Sequence, residues 1–174
     1  MKKLIALFLV LVCSVVMTDE YASAARRASH DTPTLRMIEK EGRRRGASRK
    51  LIRAVKTIAC IESSCGVNPI PAREKSRTWA KLARKVTSNK QRQDALMHSW
   101  GSTQLSGIYT YLDYGVEPEQ LLDDEVSIPI SFDKAEKLFR QCRESTYCTY
   151  AKWNGTGEKA RQYARKAQVL EAFV

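Results

Sequence analysis

The sequence predicts an all-α fold, arranged as a single helical domain held by two disulfides. Apolar residues recur at helical spacing in one segment after another, and serines stand before several of these segments at positions suited to N-terminal caps. No stretch alternates apolar and polar residues in the way that predicts a strand. Of the five cysteines, the four that follow the apolar N-terminal stretch predict the disulfides.

The N-terminus predicts a secretory signal peptide over residues 1–24. Two lysines precede an apolar stretch at residues 4–17, and Ala22 and Ala24 supply the small residues of a cleavage site. This stretch is shorter than the roughly 20 apolar residues that span a bilayer. We therefore expect a periplasmic or secreted protein that begins near Ala25 and has no transmembrane segment after cleavage.

The cysteines that follow the signal peptide are expected to meet an oxidising compartment. Four cysteines allow three pairings, and pairing within two local loops is favoured over the others. A zinc site is the alternative, but the spacings are not those of short ligand pairs, and only His30 and His98 are available to assist. The cysteines concerned are Cys60, Cys65, Cys142 and Cys148.

A formal net charge of +11 predicts affinity for polyanions. Basic residues cluster at residues 43–50 and again at 73–92. For an exported protein the available polyanions are lipid head groups, wall phosphates and the carboxylates of wall peptides, so we expect no nucleic acid as a partner. The plain alternative for each basic cluster is a solvated helix face.

Two helices are predicted in the first part of the mature chain. Residues 25–47 form a polar lead and a first helix at residues 34–45, which Gly46 closes. Ser48 is placed to cap a second helix, which opens the main unit at residues 48–174.

The middle of the chain predicts two further helices. A turn at residues 68–71 is followed by Ser76, which is placed to cap a helix, and a break at 87–89 separates this helix from a shorter one that includes residues 94–97. The first of these helices carries an apolar stripe formed by Trp79, Leu82, Ala83 and Val86.

The last third of the chain predicts a short helical turn and three helices. Pro118 opens the turn, Ser131 is placed to cap the next helix, and helices follow at residues 145–153 and 158–173. The helix that Ser131 is placed to cap turns Phe132, Ala135, Leu138 and Phe139 inward. The helix at residues 158–173 turns Ala160, Tyr163, Ala164 and Ala167 to one side.

Glu62 is an acid at a position where the helical pattern calls for a hydrocarbon. Leu51, Val55 and Ile58 recur at helical spacing, and at about 100° per residue Glu62 falls on the same face. Burial of a carboxyl raises its pKa toward neutrality, as a general acid requires. The plain alternative is a buried glutamate bonded to a backbone amide or an arginine.

Several short segments occur in an order that resembles the soluble lytic transglycosylase family. They are Glu62-Ser63-Ser64, Asn68-Pro69, Gly101-Ser102-Thr103-Gln104, Asp123-Asp124-Glu125-Val126-Ser127-Ile128 and Trp153-Asn154-Gly155-Thr156-Gly157. The resemblance covers roughly residues 48–174. It implies a lysozyme-like helical fold and cleavage of the glycan strands of peptidoglycan.

The chain departs from the family pattern at three places. Residues 73–98 form what resembles a basic helical insertion, Ser102 and Thr103 replace a usual Leu-Met, and Trp153 stands where tyrosine is commoner. The acid, the glutamine and the asparagine are kept. These departures bear on substrate fit more than on reaction type.

The resemblance implies an enzyme with Glu62 as its sole acid and base and with no metal or organic cofactor. Glu62 is expected to protonate the β-1,4 bond between N-acetylmuramic acid and N-acetylglucosamine, and then to deprotonate the 6-hydroxyl of the sugar, which yields 1,6-anhydro ends. The alternatives are a lysozyme-like muramidase and a non-catalytic cationic wall binder. We expect a monomer acting on glycan strands, with a secretion or pilus assembly machine as a further partner left open.

The resemblance also implies substrate contacts. Gln104 is expected to bind a sugar amide, Trp153 to stack on a sugar ring, Asn154 to bond an acetamido group, and the Tyr163 hydroxyl to point at Glu62. The plain alternatives are a core amide, a core aromatic, a turn residue and a core filler. Ser63 is a weaker candidate that otherwise only finishes a helix end.

Overall fold

The computed structural model describes residues 31–174, and the predicted signal peptide lies outside the described residues. The described part of the chain is mainly helical, as predicted, with eight α-helices and one 3-10 helix at Pro118–Leu122. The α-helices are α1 (Pro33–Arg44), α2 (Arg49–Ser63), α3 (Arg77–Val86), α4 (Lys90–Leu96), α5 (Gly107–Tyr114), α6 (Asp124–Gln141), α7 (Thr146–Asn154) and α8 (Gly157–Glu171).

A small antiparallel sheet was not predicted. Its strands are β1 (Ala72–Arg73), β2 (His98–Trp100) and β3 (Leu105–Ser106), in the order β1-β2-β3. Ala72 pairs with Ser99, and Ser99 pairs in turn with Ser106 on its other side. Strands of two or three residues are too short to show alternation in the sequence, because that signal needs at least four residues.

Local capping chemistry explains where several helices begin. The side chains of Ser48, Ser76 and Ser145 each accept a hydrogen bond from the backbone N–H three residues later, at the start of α2, α3 and α7. The caps at Ser48 and Ser76 agree with the sequence prediction, whereas the cap at Ser145 was not predicted. Asn89 caps α4 in the same way, directly after the predicted break.

The predicted cap at Ser131 is wrong. Helix α6 begins two turns earlier, after the Asp123 cap, and runs through Pro129. Ser131 lies in the helix interior, where its hydroxyl donates to the carbonyl of Ser127 at 2.7 Å. A proline removes one helical hydrogen bond, but burial of Ile128 and Phe132 on the core face keeps the helix continuous.

Two hydrophobic clusters organise the described residues. The larger one is built by α1, α2, α6, α7 and α8, and its fully buried members include Ile38, Val55, Ile58, Ile128 and Tyr150. The smaller one joins Ala83, Leu96 and Ile108 from α3, α4 and α5. The apolar stripe of α3 packs against this smaller cluster, so it is a packing face.

Both disulfides close local loops, which confirms the favoured pairing. Cys60 is bonded to Cys65 at the end of α2, and Cys142 at the end of α6 is bonded to Cys148 in α7. Among the helices of residues 31–174, none combines the length and hydrophobicity that crossing a membrane requires.

Candidate active site

A cleft of about 220 Å³ lies between the helices of the larger cluster and the sheet. The helices α2, α6 and α7 contribute Glu62, Lys134, Trp153 and Asn154 to one wall. The sheet and the segments beside it contribute Ala72, Glu74, Ser99, Gln104 and Ser106 to the other, with Trp79 of α3. The cleft therefore brings together residues from positions 62 to 154 of the chain.

Glu62 occupies the last turn of α2 and is half-buried at the edge of this cleft. Burial raises the pKa of its carboxyl above the ordinary value, and the negative charge of Glu74 raises it further. The Tyr163 hydroxyl and the positive charge of Lys134 act in the opposite direction. Within residues 31–174, Glu62 forms no ion pair, so the alternative of an arginine-locked glutamate does not apply.

The chain after Glu62 is held tightly in a left-handed turn. Ser64, Cys65 and Gly66 have φ values of 55°, 62° and 84°, and a Cβ at Gly66 would lie 2.0 Å from the Thr34 hydroxyl oxygen. The Cys60–Cys65 disulfide closes the same loop. Glu62 is thus placed on a constrained helix end.

Ser63 does not fit the predicted list of substrate contacts, because it does not line the cleft and is 2% exposed. Its hydroxyl lies 2.7 Å from the carbonyl oxygen of Ser102 and 2.9 Å from that of Ala59, and it accepts a hydrogen bond from the Gly66 N–H. These partners occupy its single donor hydrogen and one of its two acceptor lone pairs. Ser63 braces the end of α2, as the plain alternative stated.

The two residues that depart from the family's Leu-Met pair are also buried. Ser102 donates to the carboxylate of Asp124, and the Thr103 hydroxyl lies 2.6 Å from that of Ser131. Both side chains therefore tie the loop before β3 to α6. Neither side chain lines the cleft.

Gln104 presents an unused acceptor at the cleft. Its amide N–H₂ donates to the carbonyl oxygens of Ile70 and Gly101, both at 3.1 Å. Its side-chain oxygen is buried and has no partner among the described residues. A buried acceptor without a partner costs free energy, and Gln104 itself lines the cleft.

Trp153 lies beneath Lys134. The indole is only 7% exposed, and the Lys134 Nζ stands 3.9 Å from the ring centroid in a cation–π contact. A sugar cannot stack on a ring face that a lysine already covers. This placement favours the alternative of a packed aromatic, with one edge contributing to the cleft wall.

Asn154 lies in the cleft lining, and Tyr163 lies beside Glu62. Asn154 is exposed at the end of α7 and lines the cleft. The Tyr163 hydroxyl is buried beside Glu62, forms no hydrogen bond of regular geometry within residues 31–174, and has its pKa raised by burial and by the Glu62 charge. The interaction of this hydroxyl with Glu62 lowers the pKa of the candidate acid.

The sequence did not identify Lys134 as a cleft residue. Burial lowers the pKa of Lys134 to about 8, and the nearby Glu62 charge partly opposes that change. Lys134 lies one helical turn after the buried Ile130, at the border of the apolar face of α6. A lysine at that border was the available signal, but surface lysines commonly occupy such positions.

Glu74 was also missed. The structure places it in the cleft, where its carboxylate accepts a hydrogen bond from Ser99 at 3.3 Å. Asp94, by contrast, is paired with Arg73 at 2.9 Å and does not line the cleft. Glu74 follows β1, so its position depends on a strand that the sequence did not predict.

Comparisons with protein-family models, with curated proteins and with solved structures give no match to this chain. Among the described residues, no group of three histidine, cysteine, aspartate or glutamate side chains is arranged to hold a metal ion. The site is therefore assigned from its own geometry and chemistry. Its chemical content is one half-buried carboxyl with a raised pKa, a second carboxylate, a lysine, the exposed Asn154 side chain and the unpartnered side-chain oxygen of Gln104.

Proposed function

We propose that the protein is an exported lytic transglycosylase of lysozyme-like fold that cleaves the glycan strands of peptidoglycan. The observation that carries this proposal is the Glu62 carboxyl, whose pKa is raised by burial at the edge of a cleft and which has no ion-pair partner among the described residues. A carboxyl in this state supplies a proton near neutral pH. The ordered motifs of the sequence support the same assignment.

In the first step, Glu62 protonates the glycosidic oxygen while the bond between that oxygen and the anomeric carbon breaks. The acetamido oxygen of the same sugar bonds to the anomeric carbon and carries the positive charge onto the acetamido group. The unpartnered oxygen of Gln104 is suited to accept the acetamido N–H. This hydrogen bond would hold the group in position for its attack.

In the second step, the Glu62 carboxylate takes the proton of the sugar 6-hydroxyl. The 6-oxygen then bonds to the anomeric carbon and the acetamido oxygen leaves, which gives a 1,6-anhydro end and restores the protonated acid. No water is consumed. Tyr163 stabilises the carboxylate that exists between the two steps, because its interaction lowers the Glu62 pKa.

Glu74 favours a second candidate, a muramidase on the same scaffold. A second carboxylate in the cleft can activate water as a general base, which is the arrangement of hydrolases that use two acids. The product would then carry a reducing end instead of an anhydro ring.

Digestion of purified sacculi followed by mass spectrometry tests both candidates. Anhydro ends weigh one water less than reducing ends, so the mass of the released muropeptides separates the transglycosylase from the muramidase. Glu62→Gln is expected to lower the rate by about 10²–10⁴-fold, the usual contribution of general acid catalysis. Glu74→Gln should leave a transglycosylase largely active and disable a muramidase.

Unchanged turnover in a folded Glu62→Gln variant would overturn the proposal. A protein that pellets with sacculi, releases no fragments and is indifferent to this substitution would instead be a non-catalytic wall binder. Circular dichroism and thermal unfolding of each variant establish that the fold is retained.

A further inference from the structure

A second cavity of about 260 Å³ adjoins the cleft and shares Ser106 and Lys134 with it. The two cavities are also linked by an edge-to-face contact between Trp79 in the cleft and Tyr109 in the second cavity, with ring centroids 5.7 Å apart. A single molecule could therefore place a sugar in the cleft and a substituent of that sugar in the second cavity.

Some of the charged residues around the second cavity form ion pairs and others do not. Asp133 is already paired with Arg45 at 2.6 Å, whereas Lys134, Lys137 and Asp113 form no ion pair within residues 31–174. The uncommitted charge is therefore positive. It is suited to a carboxylate.

The rest of the lining is largely apolar. Tyr109 and Tyr114 expose their rings at the cavity, and Ile130 lies at its floor, where it is 8% exposed. Aromatic and aliphatic walls beside two lysines suit a flexible chain that carries hydrocarbon and a terminal carboxylate together. A bare sugar would offer the two lysines no carboxylate to pair with.

We propose that this second cavity binds a carboxylate of the wall peptide attached to the sugar in the cleft, with Lys134 and Lys137 as its cationic contacts. The proposal rests on the proposed function, because it takes the glycan strand as the occupant of the cleft. Every second sugar of that strand carries such a peptide through its lactyl group. The cavity would thus give preference to strands that still bear peptides.

Lys134 joins the two sites. Its ammonium group is held over Trp153 at 3.9 Å, and it lines both the cleft with Glu62 and the second cavity. A carboxylate bound beside Lys134 would neutralise a positive charge that otherwise favours the ionised form of Glu62. Binding of the peptide carboxylate would therefore raise the pKa of Glu62 and favour its protonated form, which is the form that donates the proton.

The test compares kcat/KM on intact glycan strands with kcat/KM on strands from which an amidase has removed the peptides. The wild-type protein is expected to favour peptide-bearing strands, and Lys137→Ala is expected to reduce that ratio about fivefold, the magnitude of a partly exposed ion pair. Lys159→Ala, on exposed surface of α8 and outside both cavities, is the matched control and should keep the wild-type ratio. An equal rate on both substrates, or an unchanged ratio in Lys137→Ala, overturns the proposal.

A binding measurement separates failure of this proposal from failure of the proposed function. Calorimetry with a soluble peptide-bearing disaccharide is expected to show binding that weakens about fivefold in Lys137→Ala and is lost when the peptide carboxylates are esterified. Such binding without cleavage would refute the enzyme and keep the peptide site. Binding that is indifferent to both changes would refute the peptide site whatever the activity.

Discussion

The hydroxyl of Ser63 donates a hydrogen bond to the carbonyl oxygen of Ser102 at a distance of 2.7 Å. This bond joins the last turn of α2, which carries Glu62, to the loop that carries Gln104. The two residues are 39 positions apart in sequence, so the bond fixes one wall of the cleft against the other. Within the Glu62-Ser63 pair, the glutamate therefore lines the cleft, and the serine fixes the helix end that carries the glutamate.

Ser63→Ala is therefore expected to destabilise the protein and to reduce turnover. The substitution leaves the Gly66 N–H and the Ser102 carbonyl oxygen without their buried partner, which costs about 1–3 kcal/mol. Urea unfolding measures the loss of stability, and kcat on sacculi measures the loss of alignment. The neighbouring Ser64→Ala is the matched control, because the Ser64 hydroxyl forms no hydrogen bond within the described residues.

A Ser63→Ala variant with wild-type stability and wild-type turnover would contradict this role. Loss of stability with a normal kcat in the remaining folded fraction would show that the bond holds the fold without aligning the site.

The Tyr163 hydroxyl is expected to set the pH at which activity declines. The proposed reaction begins with protonated Glu62, so kcat/KM should fall as pH rises through the Glu62 pKa. Tyr163 lowers that pKa and burial raises it. Tyr163→Phe removes the lowering contribution, so the declining limb of the pH profile should move to higher pH. A profile of kcat/KM against pH measures the shift directly.

Tyr147→Phe provides the control for this prediction, because Tyr147 is half-buried in α7 and does not influence Glu62. Its pH profile should match that of the wild type. Movement of the declining limb to lower pH in Tyr163→Phe would mean that the hydroxyl does not favour the carboxylate.

The two disulfides are expected to differ in their effect on activity although they resemble each other in their effect on stability. They close loops of similar length, with sequence separations of 5 and 6, so removal of either should cost about 2 kcal/mol. Only the Cys60–Cys65 loop contains Glu62. The double substitution of Cys60 and Cys65 by alanine should lower kcat about tenfold or more at a temperature where the protein stays folded, because the acid loses its fixed position.

The matching double substitution of Cys142 and Cys148 by alanine is the control and should keep a near wild-type kcat under the same conditions. A near wild-type kcat in the Cys60 and Cys65 double variant would show that the loop around Glu62 needs no covalent closure, and equal losses in both double variants would show that the effect is not specific to that loop. Thermal unfolding monitored by circular dichroism establishes the temperature for the comparison.

The sequence was sufficient where structure is decided locally. The caps at Ser48 and Ser76 and the pairing of cysteines in short loops depend on residues close together in the chain, and these predictions are confirmed. The inward direction of Glu62 also followed from helical periodicity alone. Its half-buried position with a raised pKa agrees with that prediction.

The sequence was insufficient where long-range packing decides. Burial of α6 against the core carries the helix past Pro129, which made Ser131 look like a cap. Glu74 enters the cleft because β1 pairs with β2 across 25 residues, and Lys134 enters it because α6 packs beside α7. No local sequence pattern predicts such contacts. The position of Glu62 could therefore be predicted from the sequence, whereas the Glu74 and Lys134 charges beside it could not.

A network centred on Arg45 predicts how the protein responds to acid. Arg45 contacts Glu41 and Asp133, each at 2.6 Å, and donates to the Pro129 carbonyl at 3.0 Å, which ties α1 to α6. The hydrogen bond from Arg44 and that from Arg45 lower the pKa of Glu41 from 4.5 to about 2. A carboxyl with a lowered pKa adds stability above its unfolded-state pKa and loses it as pH falls through the folded-state pKa.

The free energy of unfolding is therefore expected to fall between about pH 5 and pH 2 as Glu41 takes up a proton. Arg45→Met should cost about 2 kcal/mol at neutral pH, because Glu41 is only 11% exposed and keeps Arg44 as its remaining partner. The difference between wild type and variant should shrink as pH falls toward 2, since a protonated Glu41 no longer needs the arginine. Arg43→Met, which removes a largely exposed pair with Glu39, should cost less than about 0.5 kcal/mol at any pH. Urea unfolding of the wild type and the two variants across this pH range measures the free energy of unfolding and its dependence on pH.

If the difference in this free energy between wild type and Arg45→Met stays constant with pH, the Arg45 network is not coupled to protonation of Glu41.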